Sequence, residues 1–297
     1  MNVPCLLLVF NRADIVKEQM KYIGLVRPKY IYVASDGART NVVNEDVEVL
    51  RVRNEVLSQI HWPCEIKTLF RDENLGCKLA VSEAVQWFFS QVDEGIVLED
   101  DCIPTPAFFA YVTEMLDRYR NDKRVATICG RRELKAEGKQ TFSSKFFCWG
   151  WASWADRVKG IDVEFGYQKN LPTSIYAELS FAEKQHVKGI HNLMLTGMVN
   201  SWAYSYDLWF RSQAQLHIVP GKNYISNLGI GSGTHDTQQK EDVITIHDSF
   251  DRESSVGVVR RDSEYMQGYF SQVYSPLKIL LFPAVGTIKR ILKNLRL

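Results

Sequence analysis

Three adjacent carboxylates follow an apolar run in the stretch GIVLEDD, residues 95–101, which ends with Glu99, Asp100 and Asp101. A desolvated carboxylate without a positive partner costs several kcal/mol. Mg²⁺ and Mn²⁺ bind one or two carboxylates and complete their coordination shell with water and substrate phosphates. The triplet therefore favours a metal–diphosphate site, and its ordinary alternative is a solvated strand end.

Cationic residues and one turn have the chemistry to meet such a diphosphate. Arg12 and Arg71 offer planar guanidinium groups, and Lys78 offers a point charge. The turn at 74–76, which begins with Asn74, precedes a helical pattern and can present backbone N–H groups to an anion. On position alone each is more often a surface charge or a connecting turn, so the prediction depends on their convergence.

The stretch FFCWGWASW, residues 146–154, places Trp149 and Trp151 on either side of Gly150. Indole rings provide flat apolar surfaces with a polar edge, on which a sugar can stack. The alternative is that these rings belong to the hydrophobic core. We predict that Trp149, Gly150 and Trp151, with Tyr206 further along the chain, bind the acceptor.

Asp207 lies among aromatic residues in SWAYSYDLWFRSQ, residues 201–213. Desolvation raises the basicity of a carboxylate that has no partner. Asp207 is therefore a candidate general base, or else the structural partner of Arg211.

The glycine-rich stretch SNLGIGSGTHD, residues 226–236, has the composition of a flexible loop. It carries His235, which is either a metal ligand or an exposed residue at the loop end.

Alternating strand and helix patterns position these residues. Apolar runs predict strands at 5–10, 30–34, 65–70, 95–98 and 125–128, and helical spacing predicts helices at 14–26, 41–60, 77–89 and 106–120. This alternation is typical of a parallel sheet covered on both faces, where ligands bind beyond the carboxyl ends of the strands. Four strands would deliver to one edge Asn11 and Arg12, Asp36, Arg71 and the acidic triplet.

Composition restricts the class of protein. The chain has 297 residues, 45% hydrophobic and 24% charged, which fits one large globular domain or one domain with an appendage. A net charge of +1 gives no indication of nucleic-acid binding. The cysteines occur singly, no apolar run approaches the roughly 18 residues of a membrane span, and the first residues lack a signal-peptide pattern. A cytoplasmic protein with reduced thiols is expected.

The C-terminal segment carries a separate signal. Beyond Glu264 the chain has no acidic residue but several lysines and arginines, and Ile288, Ile291, Leu292 and Leu295 share one helical face. This pattern predicts a basic amphipathic helix that lies on an anionic membrane surface. The alternative is a helix docked on its own domain or on a partner subunit.

Several stretches together resemble one family: FNR at 10–12, SDG at 35–37, GIVLEDDCIPTPAFFAY at 95–111, FFCWGW at 146–151, DLWFR at 207–211 and SNLGIGSGTH at 226–235. In order and spacing they resemble GT-A nucleotide-sugar glycosyltransferases, most of all the N-acetylglucosaminyltransferase I type and bacterial polysaccharide-locus glycosyltransferases. The resemblance implies an α/β fold of the GT-A (Rossmann-like) kind, with a mixed, mainly parallel sheet flanked by helices and a C-terminal basic amphipathic helix. We predict a nucleotide-sugar-binding half at 1–130, an acceptor-binding and catalytic half at 131–262, and a tail at 263–297.

The resemblance also implies roles for individual positions. Asp101 would bind a Mn²⁺ or Mg²⁺ ion on the two phosphates, His235 would complete its shell, and Asp207 would be the catalytic base. The loop at 226–235 would close over the donor. One nucleotide-contacting histidine of the family has no equivalent, because Ser82 stands in that region. The predicted nucleotide-sugar-binding residues are Phe10, Asn11, Arg12, Asp36, Arg71, Asn74, Lys78, Glu99, Asp100 and Asp101.

These assignments predict a metal-dependent inverting glycosyltransferase. It would move a sugar from a UDP-sugar, such as UDP-GlcNAc, to a hydroxyl of a glycan or lipid-linked saccharide in bacterial surface polysaccharide synthesis. Two other classes stay open. A sugar-1-phosphate nucleotidyltransferase would be expected to carry a glycine-rich basic loop after its first strand, and FNRADIV has no glycine. A non-catalytic sugar-binding protein would keep the fold without turnover.

Overall fold

The computed structural model describes residues 1–134, 136–228, 245–250 and 258–294. Within these ranges the strands are β1 (Cys5–Val9), β2 (Tyr30–Ser35), β3 (Glu65–Phe70), β4 (Glu94–Glu99), β5 (Cys102–Pro104), β6 (Val125–Cys129), β7 (Thr141–Ser143), β8 (Trp151–Trp154), β9 (Leu216–Val219) and β10 (Ile225–Asn227). Eight of them form one sheet in the order β3-β2-β1-β4-β8-β6-β9-β7, and β5 pairs with β10 in a second, small sheet.

Helices connect the strands and cover both faces of the large sheet. They are α1 (Ala13–Val26), α2 (Glu45–Ser58), α3 (Gly76–Phe89), α4 (Pro106–Tyr119), α5 (Ala155–Val158), α6 (Phe181–Leu195), α7 (Trp202–Ser212), α8 (Ser263–Val273) and α9 (Pro276–Asn294), with short 3-10 turns at Phe165–Tyr167 and Thr173–Tyr176. Side chains alternate between the faces of a strand. In β1, Leu7 packs with α1 and α4 on one face, and Leu6 packs with α3 and α7 on the other.

The sheet is mixed, as expected for the predicted α/β class. β1 pairs in parallel with β2 and β4, β2 pairs in parallel with β3, and β6 pairs in parallel with β9. β8 runs antiparallel between β4 and β6, so β4 and β6 point in the same direction. Their carboxyl ends therefore lie at the same edge of the sheet.

The elements predicted for the first 130 residues are present, with bounds that differ by a few residues. The helix predicted at 41–60 is shorter, at Glu45–Ser58, because Asn44 adopts a left-handed backbone with φ of 61° immediately before it. Apolar strands such as β1 are buried along their whole length, as expected for strands covered on both faces.

The tryptophan-rich stretch forms a central strand that the sequence analysis did not predict. β8 begins at Trp151, directly after Gly150, whose φ is +62°. A Cβ atom at Gly150 would lie 2.7 Å from Cδ1 of Ile225, so the position requires glycine for space as well as for backbone conformation. The turn places Trp149 at the edge where β4 and β6 end.

The C-terminal helix α9 packs against α6, which is the docked alternative of the sequence analysis. The ring of Phe282 lies against Gly189, and Nδ2 of Asn192 donates to the backbone oxygen of Pro283 at 3.0 Å. Within the described ranges, no helix has both the length and the apolar character that crossing a membrane requires.

Candidate active site

The structure brings Arg12 and the acidic triplet together at the carboxyl edge of the sheet. Nη1 of Arg12, just beyond β1, donates to Oδ1 of Asp100 at 3.0 Å and to Oδ2 of Asp101 at 3.3 Å. Nε2 of Gln19, buried in α1, donates to the backbone oxygens of Glu99 and Cys102 at 2.7 Å each. These amide hydrogen bonds fix the backbone turn that presents the carboxylates.

The triplet holds more negative charge than Arg12 neutralises. Burial raises the pKa of Glu99 to about 8, with further contributions from the charges of Asp101 and Asp100. Burial also raises the pKa of Asp100 to about 6, although Arg12 opposes the shift. A cation bound at this edge would remove the cause of both shifts.

The donor chemistry of the edge fits a hard divalent cation. Asp101, with 21% of its side chain exposed, offers carboxylate oxygens, the ligand type that Mg²⁺ and Mn²⁺ take. In the described part of the chain, no group of three or more His, Cys, Asp and Glu side chains is arranged to hold a metal. Asp101 would therefore act with water and phosphate oxygens. His235, the second predicted ligand, lies outside the described residues.

The start of the predicted glycine-rich loop is attached to the triplet. β10 pairs with β5, and the backbone N–H of Leu228 donates to the backbone oxygen of Asp101 at 2.9 Å. The rest of that stretch, from residue 229 to 235, lies outside the described residues.

Asp36 is buried and holds the turn before α3. Its Oδ1 accepts from the N–H groups of Gly37 and Leu75, and its Oδ2 accepts from Gly76 N and from Nδ2 of Asn74. The N–H groups predicted to face a phosphate thus bind the carboxylate of Asp36. In this arrangement Asp36 and Asn74 shape the turn, and the predicted contact of Asp36 with the nucleotide sugar would use the hydrogen-bonding capacity that remains.

A second polar group lies beside β1 and was not predicted. Glu45, buried at the start of α2, accepts from Nδ2 of Asn11 at 2.9 Å and forms a bidentate pair with Arg39. The guanidinium of Arg39 lies 5.6 Å from the ring centre of Phe10. The hydrogen bonds with Arg39 contribute most to lowering the pKa of Glu45, and the charge of Arg39 and the hydrogen bond from Asn11 add to the shift, although burial opposes it.

Arg71 and Lys78 pair with carboxylates that do not belong to the triplet. Nη2 of Arg71 lies 3.0 Å from Oε2 of Glu83, which belongs to α3. Nζ of Lys78 lies 2.5 Å from Oε1 of Glu164 and 4.2 Å from the ring centre of Tyr167. The structure therefore joins Lys78 to the second half of the chain, and a phosphate contact would require it to exchange Glu164 for the ligand.

The predicted acceptor-binding residues divide into core and edge. Trp151 and Tyr206 are fully buried, and Gly150 is buried as well. Their rings pack among Phe146, Trp202 and Phe210, which matches the core alternative of the sequence analysis. Trp149 is partly exposed, and the guanidinium of Arg131 lies 4.3 Å from its ring centre.

Asp207 is buried in α7 and is paired. Its Oδ2 accepts from Nε of Arg211 at 2.9 Å, and its Oδ1 accepts from the N–H of Phe146 at 2.7 Å. Burial would raise the pKa of Asp207, but the charges of Arg211 and Lys145 and these hydrogen bonds outweigh it and lower the pKa to about 2. In this structure Asp207 is the structural partner of Arg211 and is not a free base.

A polar cluster at the end of β6 was missed in the sequence analysis. It consists of Arg131, Glu133 and Lys145, and we call it the β6 cluster. Nε of Arg131 lies 3.7 Å from Oε1 of Glu133, and Nζ of Lys145 lies 5.6 Å from the ring centres of Phe147 and Tyr204. The strand at 125–128 was predicted, so reading its carboxyl end as the other four were read would have found Arg131 and Glu133.

Comparisons with known proteins give distant similarities in fold. No protein-family model matches the sequence, and no curated protein matches it. The chain is similar to a mannosyltransferase from Pyrobaculum calidifontis in complex with GDP-Man and Mn²⁺, with 12% identity over 72% of this chain and 70% of that chain and a TM-score of 0.38. It is similar to a UDP-glucose pyrophosphorylase complexed with UDP-glucose, with 8% identity over 74% and 90% and a TM-score of 0.37. A cytidylyltransferase from Leptospira borgpetersenii gives 11% identity over 70% and 92%, with a TM-score of 0.35.

Proposed function

We propose that this protein is a metal-dependent glycosyltransferase that uses a nucleoside diphosphate sugar, with UDP-sugars as the expected donors. The observation that supports the proposal most is the acidic triplet at the carboxyl edge of the sheet. Burial and mutual repulsion raise the pKa of Glu99 and of Asp100 there, and Arg12 is their cationic partner. Such an edge gains free energy by binding a divalent cation together with an anionic diphosphate.

The roles of the chain's own residues follow from charge. Asp101 would hold the cation, which when bound neutralises charge on the departing nucleoside diphosphate. Arg12 would orient Asp100 and Asp101, because it bonds to both. On the other side of the sugar a carboxylate must take the proton of the acceptor hydroxyl, and attack from that side inverts the anomeric centre. Asp207, the base implied by the resemblance, could act only after leaving Arg211, since its pKa is about 2.

The donor and metal requirement can be tested by thermal shift. With UDP and Mn²⁺ together we expect the melting temperature to rise by about 5 °C or more at 100 times the dissociation constant, because ligand binding stabilises the folded state. UDP alone should have little effect. The shift should be larger at pH 8 than at pH 6, because the raised pKa values of Glu99 and Asp100 leave these carboxyls more protonated at the lower pH.

ADP, CDP and GDP with Mn²⁺ serve as controls for the base. Equal stabilisation by another nucleotide without any cation would contradict both the donor and the metal assignment. Product analysis separates the alternative classes. Release of UDP from a UDP-sugar indicates transfer or hydrolysis, UTP formed on addition of pyrophosphate indicates a nucleotidyltransferase, and binding without products indicates a non-catalytic protein.

We also propose that α9 contacts an anionic membrane, where a lipid-linked acceptor would be found. The face of α9 turned away from α6 exposes an apolar stripe, which we call the outer stripe: Leu277, Leu280, Leu281, Val285 and Ile288. Leu277 is 65% exposed and Leu280 is 54% exposed. The stripe follows helical spacing over roughly 16 Å of helix. From residue 275 to the end the chain has cations and no carboxylate side chain, which complements anionic lipid.

Replacing Leu277 and Leu281 together with Ser should weaken binding to phosphatidylglycerol-containing vesicles at least tenfold. Removing two half-inserted leucines costs about 2 kcal/mol. Co-sedimentation measures the bound fraction. Val43→Ser, at an apolar residue that is 88% exposed in the segment before α2, is the matched control. Equal binding of wild type and the double variant, or no preference over phosphatidylcholine vesicles, would contradict membrane contact through α9.

A further inference from the structure

We propose that Glu133, in the β6 cluster, is the general base that accepts the proton of the acceptor hydroxyl. The inference rests on the proposed function and names a residue for a step that Asp207 is poorly placed to perform. It is carried by the position of Glu133 across the sheet edge from Asp101, by its partial exposure, and by the residues packed around it.

The register of three strands places Glu133 opposite the acidic triplet. Trp151 of β8 is in register with Val97 of β4 on one side and with Cys129 of β6 on the other. Gly130 N donates to Gly150 O at 2.7 Å, so the strands stay adjacent beyond this row. Because β4 and β6 run in the same direction, Asp101 and Glu133 both lie beyond this row at the same edge of the sheet, each four residues further along the chain.

Two strand spacings, about 10 Å, separate β4 from β6 across the sheet. β4 ends at Glu99 and β6 ends at Cys129, so Asp101 and Glu133 lie in the segments that leave these two strands at the same edge. A sugar between a diphosphate at Asp101 and a hydroxyl at Glu133 fits this separation.

Trp149 lies at the edge of the sheet where β4 and β6 end. It precedes Gly150, where an added Cβ atom would lie 3.4 Å from Cδ2 of Leu98 in β4. The guanidinium of Arg131 covers the Trp149 ring at 4.3 Å and lies beside Glu133. Arg131 is buried, and its Nε has no hydrogen-bond partner in the described part of the chain. This guanidinium can orient Glu133 without a strong hydrogen bond that would remove its basicity.

The charges that face Glu133 leave it basic. Burial raises its pKa, and the positive charges of Arg131 and Lys145 oppose that rise without cancelling it. The other titratable groups within reach of its charge have raised pKa values and are neutral near pH 7: Cys129, Cys148, Tyr265 and Tyr269. The Glu133 side chain is 20% exposed, so an acceptor can approach it.

Cys148 connects the two sides of the proposed reaction space. Burial raises the pKa of its thiol, and the charges of Glu99, Asp101 and Glu133 add to the rise while Lys145 opposes it. The thiol therefore lies within electrostatic reach of both the triplet and the β6 cluster.

The other candidate base, Asp207, already accepts a hydrogen bond at each carboxylate oxygen, from Nε of Arg211 and from the N–H of Phe146.

The step balances in atoms and electrons. The acceptor oxygen forms a bond to the anomeric carbon while its proton passes to a carboxylate oxygen of Glu133. The bond between the anomeric carbon and the phosphate oxygen breaks, and its electron pair leaves with the nucleoside diphosphate. The protonated Glu133 then returns its proton to solvent.

The test compares Glu133→Gln, Glu133→Ala and Asp207→Asn with wild type. Nucleoside diphosphate release is measured with Mn²⁺ and UDP-GlcNAc, UDP-glucose or GDP-mannose, with water as acceptor. We expect Glu133→Gln to lower kcat about 100-fold or more while the donor KM and the UDP thermal shift stay unchanged. The acid limb of the kcat–pH profile should disappear. Formate should restore part of the activity of Glu133→Ala, which a merely structural residue would not allow.

Glu137→Gln is the matched control, since Glu137 is a half-exposed carboxylate in the same segment. It should retain wild-type turnover. If wild type is active and the kcat of Glu133→Gln is within twofold of the wild-type value, the assignment of Glu133 is overturned and the proposed function stays intact. Wild type that releases no nucleoside diphosphate from any of these donors would overturn the proposed function and, with it, the role of Glu133.

Discussion

Asp101→Asn is expected to lower metal-dependent turnover of the donor by about 1,000-fold. The substitution keeps the size of the side chain and removes the negative charge that would hold the cation. Electrostatic stabilisation by a bound metal contributes several kcal/mol, and about 4 kcal/mol corresponds to three orders of magnitude in rate. The measurement is nucleoside diphosphate release over a Mn²⁺ titration, with the thermal shift by UDP and Mn²⁺ as a second readout.

The same variant should be more stable than wild type when no metal is present. The charge of Asp101 contributes to the raised pKa of both Glu99 and Asp100, so removing it relieves repulsion in the triplet. Arg12 keeps its bond to Asp100 at 3.0 Å. A gain in stability without metal together with lost turnover is the signature of a binding site, because a structural carboxylate would lose both.

Asp117→Asn is the control for loss of one carboxylate. Asp117 lies on α4 and its side chain is 86% exposed. It should change neither turnover nor the metal-dependent shift. If Asp101→Asn turns over the donor as fast as wild type at every Mn²⁺ concentration, the assignment of a metal site to the acidic triplet is wrong.

The sequence predicted the first half of the fold because burial there is regular. Strands such as Cys5–Val9 are apolar throughout, and the helices between them have one apolar face. The convergence of Arg12 with Asp100 and Asp101 followed from the rule that parallel strands end at one edge. Strand direction alone was sufficient for that prediction.

The second half was harder to predict because long-range packing decides it. Trp151–Trp154 is a four-residue strand inserted antiparallel between β4 and β6, and its aromatic composition fits a binding wall as well as a core. The i, i+4 spacing of Asp207 and Arg211 is visible in the sequence. Whether Asp207 is a free base or the structural partner of Arg211 depends on burial, which the spacing does not determine.

Asp36 shows the same limit on a smaller scale. The sequence predicted that Asp36 lies at the carboxyl edge of the sheet, and the structure places it there, directly after β2. Its saturation by Gly37, Asn74, Leu75 and Gly76 depends on the close approach of β2 and the turn before α3, more than 35 residues later. Position along a strand predicts where a side chain lies. Whether its oxygens remain available for a ligand depends on hydrogen-bond partners from distant parts of the chain, which that position does not show.

Asp207→Asn is expected to reduce the free energy of unfolding by about 3–5 kcal/mol, a large part of the stability of a domain. The substitution leaves the buried guanidinium of Arg211 without its counter-charge. Both terminal nitrogens of Arg211 already have no hydrogen-bond partner in the described ranges. Urea denaturation followed by circular dichroism measures the change.

The effect should depend on pH in one direction. The pKa of Asp207 falls from an ordinary value of 3.8 to about 2 in the folded protein, so its stabilising contribution is complete above about pH 4 and is lost as the pH falls toward 2. The difference between wild type and Asp207→Asn should therefore shrink over that interval. Glu18→Gln removes a charge from an exposed pair with Lys21 and should cost no more than about 1 kcal/mol.

A double-mutant cycle separates the ion pair from any role of Asp207 in chemistry. If the pair is structural, Asp207→Asn combined with Arg211→Met should be more stable than Asp207→Asn alone, because the unpaired buried charge is gone. Donor turnover should then return with stability, since Asp207 would act only through the packing of α7. Recovered stability with turnover still reduced 100-fold would instead assign Asp207 a direct part in the reaction, because the fold would be intact and the missing carboxylate would be the remaining difference.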